Sequence, residues 1–589
     1  MALGRAGTAR LAHRGPDGQG EWFDREAGVY LGHRRLAIID PADRSNQPML
    51  CDGHALTYNG ELYNFRDLAG QLRATGWVLE TTGDVEVLLL AWQKWGRACL
   101  DRFDGMFAFA VWDGSEAHLA VDAFGEKPLF LAETADGCYV SSELEPLASL
   151  LNLTPTLTEE SWCAYLSYGN LHAPDTAFRE VRRLPPATVV AVRDGRPGSI
   201  QRYWSPPFGE PARGPIEPVP EAGLDAMAEA LADSLAGRLI ADVPLALFLS
   251  GGIDSSLVAA LAATELKQEL NCLSVSFPRG DATDEAPRAA AIASHLGQPH
   301  HILQNDDDPS TAGRGQLVDI LQQPHDNLSA LSVFQLSRTA AQEFKVCLTG
   351  MGGDELTFGY GKHDQLYRRR DLYALPETVR RAGGAMAGAV APLWPRLDQF
   401  RAAYLVADPE RYIALKDFPA IDGLRRVPGF AGWVEKEFED LSGPAYLAVP
   451  RYELTEALPN DQLIVYDHAS MRASLELRTP FLNRRLLELI AGFDPRALLA
   501  FGQKSVLRRL LARYLPERLF DYPKSGFRFP HDVFLDSTTA CLPALPGLTP
   551  DVANYLWQRR QNGKGWTRIG VRLASAAEFF SRYPAGAAS

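Results

Sequence analysis

FLSGGIDSS, residues 248–256, decides how the second half of this chain is read. The apolar run VPLALFL ends at Leu249. Ser250, Gly251 and Gly252 then turn the chain, and a helical pattern begins near Asp254. Two glycines let a backbone approach a ligand with no Cβ in the way. Amide N–H groups of the turn and the helix start point at an anion there, aided by the helix dipole. The hydroxyls of Ser250, Ser255 and Ser256 add donors, so the stretch suits a phosphate or pyrophosphate. It lacks the GxxxxGK(S/T) spacing of a Walker loop. The same residues also allow a plain strand–turn–helix with Asp254 as N-cap.

A second loop, CLTGMGGDELTFGY (347–360), narrows the choice. It too follows a short buried strand pattern, and Gly350, Gly352 and Gly353 permit close backbone approach. Asp354 and Glu355 are adjacent carboxylates, which together with substrate phosphates are how Mg²⁺ is usually held. Working outward, NCLSVSF and FKVCLTG read as strands, and LDAMAEALADSLAGRL and APRAAAIASHLG as helices. Alternating β and α elements predict a parallel sheet covered on both faces. Two such loops at strand ends fit a nucleotide–Mg²⁺ site at the carboxyl edge of that sheet.

Upstream, residues 28–205 read as short strands and turns with few helices: GVYLGHRRLAIID, ALTYNGELYNF and MFAFAVWD are β-rich. Asn59-Gly60 there could be a type I′ hairpin turn, and Asp84 could cap the helix that follows. SPPFGEPARGPIEPVPEAG (205–223), dense in Pro and Gly, reads as a linker. The expected organisation is therefore 1–205, a linker at 206–223, and 224–589. A chain of 589 residues with 46% hydrophobic and 22% charged residues fits two or three soluble domains. A formal net charge of -14 argues against nucleic acid as a partner, and no run reaches membrane-spanning length. Seven scattered cysteines in no metal-binding spacing suit a reducing cytoplasm. The His300-His301 pair has no further ligands nearby in sequence.

SGGIDSS, the downstream GMGGDE and YPKSGF (522–527) together resemble the asparagine synthetase B-type amidotransferases. HRGPDG (13–18), HRRLAIID (33–40), YNGELYN (58–64), TTGDVEV (81–87) and FGEKPLF (124–130) are similar to that family's glutaminase motifs, in the same order. The resemblance implies an N-terminal-nucleophile αββα glutaminase sandwich followed by an α/β ATP-pyrophosphatase domain. It implies ATP and Mg²⁺, adenylation of aspartate or a related acid, release of pyrophosphate, and attack by ammonia from glutamine or solution. A homodimer and an ammonia tunnel are further family expectations.

Carried over residue by residue, Arg35, Leu36, Ala37, Ile38, Ile39, Asn59, Gly60, Glu61 and Asp84 would bind glutamine. Arg35 would grip its carboxylate, Glu61 and Asp84 its ammonium, and Asn59 with Gly60 would form an oxyanion hole. Leu249, Ser250, Gly251, Gly252, Asp254, Ser255, Ser256, Val275, Thr349 and Gly350 would bind ATP and pyrophosphate. Asp254, Asp354 and Glu355 would hold the metal, and Lys504 and Lys524 would balance phosphate charge. Asp284-Glu285 also matches.

Three departures shape the expectation. Relatives carry a strand beginning Met-Cys-Gly before HRGPDG; here no cysteine precedes Cys51, which reads as a turn. The chain as written is therefore expected to lack glutaminase activity. An upstream start, or an enzyme using free ammonia or another amine, would account for this. The sheet lacking that strand is expected to have an open edge. Met351 stands where relatives using aspartate carry an acid, beside the acyl-adenylate, and a thioether accepts hydrogen bonds weakly; a different acceptor is expected. QQPHDNLS (322–329), DHASM (467–471) and PFLN (480–483) also drift from the family pattern. A lactam-forming or ammonia-dependent synthetase with a relic glutaminase half, and a catalytically dead regulatory homologue, are the competing readings.

Overall fold

Period-two alternation sorts the first half into layers. In β5 (Gly105–Trp112), Phe107, Phe109 and Val111 face one side and Ala108, Ala110 and Trp112 the other, as successive residues of a pleated strand do. The large side chains meet Leu56 and Tyr58 of β4 (His54–Leu62) beneath α2 (Phe65–Arg73) and α3 (Asp84–Trp95). The two alanines let a second sheet approach. The first sheet runs β11 (Arg196–Pro197), β10 (Thr188–Arg193), β6 (Ala117–Val121), β5, β4 and β3 (Met49–Cys51), with β12 (Gln201–Arg202) also on β10. The second layer holds β8 (Gly137–Ser141), β7 (Phe130–Thr134) and β9 (Val181–Arg183), beside a separate hairpin of β1 (Gly18–Asp24) and β2 (Val29–Arg35). Helices α1 (Ala2–Arg10) and α4 (Leu144–Leu150) pack on β2 and β8. The result is an αββα sandwich.

This computed structural model describes all residues except 213, 277–284, 305–312, 391–393, 395–412, 414–419, 439–443, 523–533, 536–544 and 584–589. Among the described residues β2 pairs only with β1, and β8 only with β7, so two strand edges lack ladder partners. Cys51 ends strand β3 instead of sitting in a turn; the turn is the Asp52-Gly53 pair that follows, both at positive φ. Asn59-Gly60 is not a hairpin turn. Both lie inside β4, opposite Ala108 and Phe107, because the register of eight consecutive β4–β5 pairs runs straight through them.

The second half is built on a five-stranded sheet, every pair parallel, in the order β15 (His300–Gln304), β14 (Asn271–Ser276), β13 (Leu245–Phe248), β16 (Val346–Leu348), β17 (Glu476–Arg478). Alternate residues again divide the faces. Leu247, Cys272 and Leu348 pack under α6 (Glu221–Arg238), α7 (Ile253–Thr264) and α8 (Ala286–Leu296). Ala246, Leu273, Cys347 and Leu477 pack under α9 (Arg314–Leu321), α10 (Ser329–Ala340) and the helix Ile464–Met471. From α5 (Glu159–Tyr168), whose N-cap Thr158 hydroxyl accepts the Ser161 N–H at 3.1 Å, Trp162 and Tyr165 enter that same core. No helix among the described residues is long and apolar enough to cross a membrane.

The two halves meet through buried charge. Arg14 lies between Glu143 (3.2 Å) and Asp467 (2.8 Å); Lys127 reaches Asp467 at 3.2 Å, and His13 reaches Glu143 at 2.8 Å. Burial pushes both carboxyls up, but the His13 contact and the Arg14 charge hold Glu143 well below the usual range. Arg14 and Lys127 likewise hold Asp467 down. Carboxyls depressed in the folded state stabilise it above their unfolded pKa of about 4 and lose that contribution as pH falls through the folded values. The melting temperature is therefore expected to hold between about pH 7 and 5 and to fall below about pH 4. In Arg14→Met the acid-dependent part of the fall should shrink, and an identical pH profile in the variant would refute the assignment.

Candidate active site and its neighbouring pocket

The loop after β13 is shaped by its glycines. Gly251 has φ +71°, and a Cβ there would stand 3.1 Å from the Arg288 side chain of α8. Gly350, in the loop after β16, comes so close that a Cβ would lie 2.5 Å from the Ser255 amide nitrogen; one on Gly353 would lie 2.8 Å from Asp254 Oδ1. The two loops therefore nest against each other where strand order reverses between β13 and β16, the usual place for a ligand in an open parallel sheet. Gly252 is the N-cap of α7 and makes no side-chain cap. Asp254 is thus not the cap, and its carboxylate turns into the cleft.

Lys504, 5% exposed, pairs there with Asp254 and, at 3.0 Å, with Asp354. Glu355 follows on α11 (Gly353–Leu356) and accepts the Tyr360 hydroxyl at 2.6 Å. Burial and the neighbouring Asp354 push its carboxyl up to about 7. A cavity of about 510 Å³ joins Ser250, Gly251, Gly252, Asp254, Ser255, Thr349, Gly350, Met351, Asp354, Glu355 and Lys504. Three carboxylates beside a glycine-lined cradle are a donor set that fits Mg²⁺ and phosphate oxygens.

Three predicted residues stand elsewhere. Ser256 is completely buried and points away from the cavity, because the helix turns it to the core side. Leu249 is buried, its N–H given to the Leu273 carbonyl at 2.8 Å, and Val275, next to last in β14, does not line the cavity. Lys524 and Asp284 lie outside the described residues. Arg288 and Tyr360 line the cleft and were not read from the sequence. Arg288 stacks over the Tyr522 ring at 4.3 Å; an arginine inside an alanine-rich helix pattern gives no signal of its own. His300 bonds Ser274 at 2.8 Å.

A second cavity, of about 640 Å³, lies between the free edges of β2 and β8 and gathers Arg35, Leu36, Ile38, Ile39, Asn59, Gly60, Glu61 and Asp84. Ala37 does not line it; its N–H is given to Asp17 at 2.8 Å. Gly60 has φ +140°, and a Cβ there would strike the Met106 carbonyl at 2.0 Å. Asp84 does not cap α3; Gly83 does. Its carboxylate accepts the Tyr58 hydroxyl and the Leu62 N–H, both at 2.9 Å. Arg35 donates to the carbonyls of Ile39, Asp40 and Ala42 and to Asn46, and so binds its own loop. Asn59 Nδ2 and Glu61 Oε2 are buried without partners. His33 is pushed down to about 3 by burial and the Arg35 charge, so it is neutral. Arg478, fully buried on β17, ties this pocket to the other: its side chain meets Glu61 at 3.2 Å while its carbonyl accepts the Thr349 N–H at 2.9 Å.

A sandwich carrying a 640 Å³ cavity, fused to a parallel sheet with a glycine-lined loop at its switch point, defines a glutamine amidotransferase-type architecture. The chain belongs to the asparagine synthase family: that family's profile matches residues 226–539, and the glutamine amidotransferase domain profile matches residues 3–204. A Mycobacterium tuberculosis protein named "Putative asparagine synthetase (glutamine-hydrolyzing)" is 32% identical over 90% of this chain and 84% of its own length. Asparagine synthetase (glutamine-hydrolyzing) 3 of Bacillus subtilis is 28% identical, over 94% and 88%. Amidase chry2 of Gibberella zeae is 25% identical, over 88% and 84%.

Proposed function

We propose that this chain is an ATP-dependent, amide-forming ligase that adenylates a carboxylic acid and passes the acyl group to an amine. The observation that carries this reading is the nesting of the Ser250–Ser255 and Thr349–Glu355 loops around Asp254, Lys504 and Asp354. The N–H groups of Gly251 and Gly252 and the hydroxyls of Ser250 and Ser255 would hold the departing pyrophosphate. Arg288, Lys504 and Lys524 would balance its growing charge. Asp254, Asp354 and Glu355 would hold Mg²⁺, which when bound draws charge from the phosphate oxygens. The acid's oxygen attacks the α-phosphorus and pyrophosphate leaves; the amine then attacks the acyl carbon and AMP leaves. Residues 1–205 would bind glutamine or its remnant, and a homodimer in the cytoplasm is the family expectation.

The nitrogen would come from glutamine or from ammonia in solution. Cys138 lines the second cavity, and burial, with Glu133 nearby, pushes its thiol up to about 12, so it would be protonated at neutral pH. Carboxylate-dependent exchange of labelled pyrophosphate into ATP is expected, with AMP release needing an added nitrogen donor, glutamine or ammonium. Absence of exchange would overturn the adenylation reading, and AMP release unchanged by either donor would overturn amide formation.

A further inference from the structure

We propose that the acid activated here carries an uncharged, apolar side chain; this rests on the adenylation reading above. The 510 Å³ cavity has two unlike ends. One is the phosphate end already described. On the β17 side the wall is Met351 from the loop after β16, Leu477 from β17, Val333 and Leu336 from α10, and Tyr466 from the helix Ile464–Met471. Val333 and Leu336 are three residues apart and so share one helix face. With Leu477 they are each more than nine-tenths buried. Five side chains from four separate elements thus line this end, beside the uncharged polar groups of Asn327, Ser329 and Gln462, of which Asn327 donates to Asp461 at 2.7 Å and Ser329 to Asn327 at 2.5 Å.

No ionised side chain among the described residues comes from α10, β17 or the helix Ile464–Met471 into this cavity. The charged lining groups belong to the other end or are engaged. Lys504 sits between Asp254 and Asp354, Arg508 is 3.0 Å from Asp521, Glu285 stands at the N-terminus of α8, Arg288 of the same helix lies on Tyr522 beside Gly251, and Glu355 is held by Tyr360. Tyr466 is pushed up to about 12, chiefly by burial, and so is a neutral hydroxyl. A charged group on the acid's side chain would leave water against this wall with no opposite charge among the described residues to meet it, a costly transfer. An apolar side chain sheds ordered water there instead, and each well-placed methylene is worth about 10-fold or more in kcat/KM.

The test is Mg²⁺-dependent ATP–pyrophosphate exchange on the full chain with two matched panels: aspartate and glutamate against butyrate, hexanoate, 3-phenylpropanoate, norleucine and phenylalanine. The best apolar acid should exceed aspartate by at least about 10-fold in kcat/KM. Val333→Ala should raise the KM for that acid severalfold with kcat nearly unchanged. Leu477→Arg, if folded by circular dichroism, should invert the preference toward the dicarboxylates. Faster exchange with aspartate or glutamate in the wild type would overturn the apolar acceptor and leave adenylation standing. Exchange with no acid of either panel would overturn adenylation itself.

Discussion

Asp254→Asn is expected to lower carboxylate-dependent ATP–pyrophosphate exchange by about 100-fold or more while leaving the circular dichroism spectrum and melting temperature close to those of the wild type. The carboxylate occupies the centre of the cleft. It pairs with Lys504, stands against Gly353, and projects from the first turn of α7, where the helix dipole and the amides favour an anion. Asparagine keeps the shape but not the charge, so Mg²⁺ and the lysine lose a common partner at the moment pyrophosphate departs. The fold should be nearly indifferent, because the N-cap of α7 is Gly252 and no helix hydrogen bond passes through this side chain. Exchange within about twofold of wild type, a change of under ~0.5 kcal/mol in the barrier, would remove Asp254 from the site.

Arg478→Met is expected to destabilise the contact between the halves by about 3–5 kcal/mol, the usual cost of leaving buried charge without its partner. The guanidinium is completely buried and donates to Glu476 at 2.8 Å and to the carbonyls of Arg238 and Ile240 at 2.9 and 2.7 Å, besides meeting Glu61. Burial, with Asp84 and Glu476 nearby, already pushes the Glu61 carboxyl up, and the Arg478 charge is what opposes this. Without it, burial pushes Glu61 further toward its protonated form, or water enters. Arg478→Lys should recover only part of the loss, since an ammonium lacks the planar fork that reaches two carboxylates and two carbonyls together. Urea unfolding followed by tryptophan fluorescence, with hydrogen exchange at residues 346–350, measures both the energy and its transmission to Thr349. A variant within about 0.5 kcal/mol of wild type, with unaltered protection there, would show that the network carries no such weight.

Much of this was legible in the chain because it is local. Glycine pairs after short apolar runs announce strand–turn–ligand geometry, and alternation in MFAFAVW sorts two faces without any knowledge of the partner sheet. Where local signals were ambiguous, register and helical phase decided. Asn59-Gly60 has the composition of a hairpin turn, yet Gly60 serves inside a strand, where the Met106 carbonyl leaves no room for a Cβ. Ser255 and Ser256 are equivalent as letters, but the turn of α7 sends one hydroxyl to the cleft and the other into the core.

The sequence by itself determined the β-rich first half, the parallel sheet of the second, the order of the motifs and the membership in a family, since each depends on residue types a few positions apart. Only the tertiary structure decided what those motifs meet. Arg478 joins residues 61, 349 and 476; Lys504 joins 254 and 354; and Met351 comes to line one cavity with residues 333, 336, 466 and 477. Such contacts come from strand order and helix packing, which bring distant segments together through burial of faces whose patterns say that they are apolar but not which face covers which.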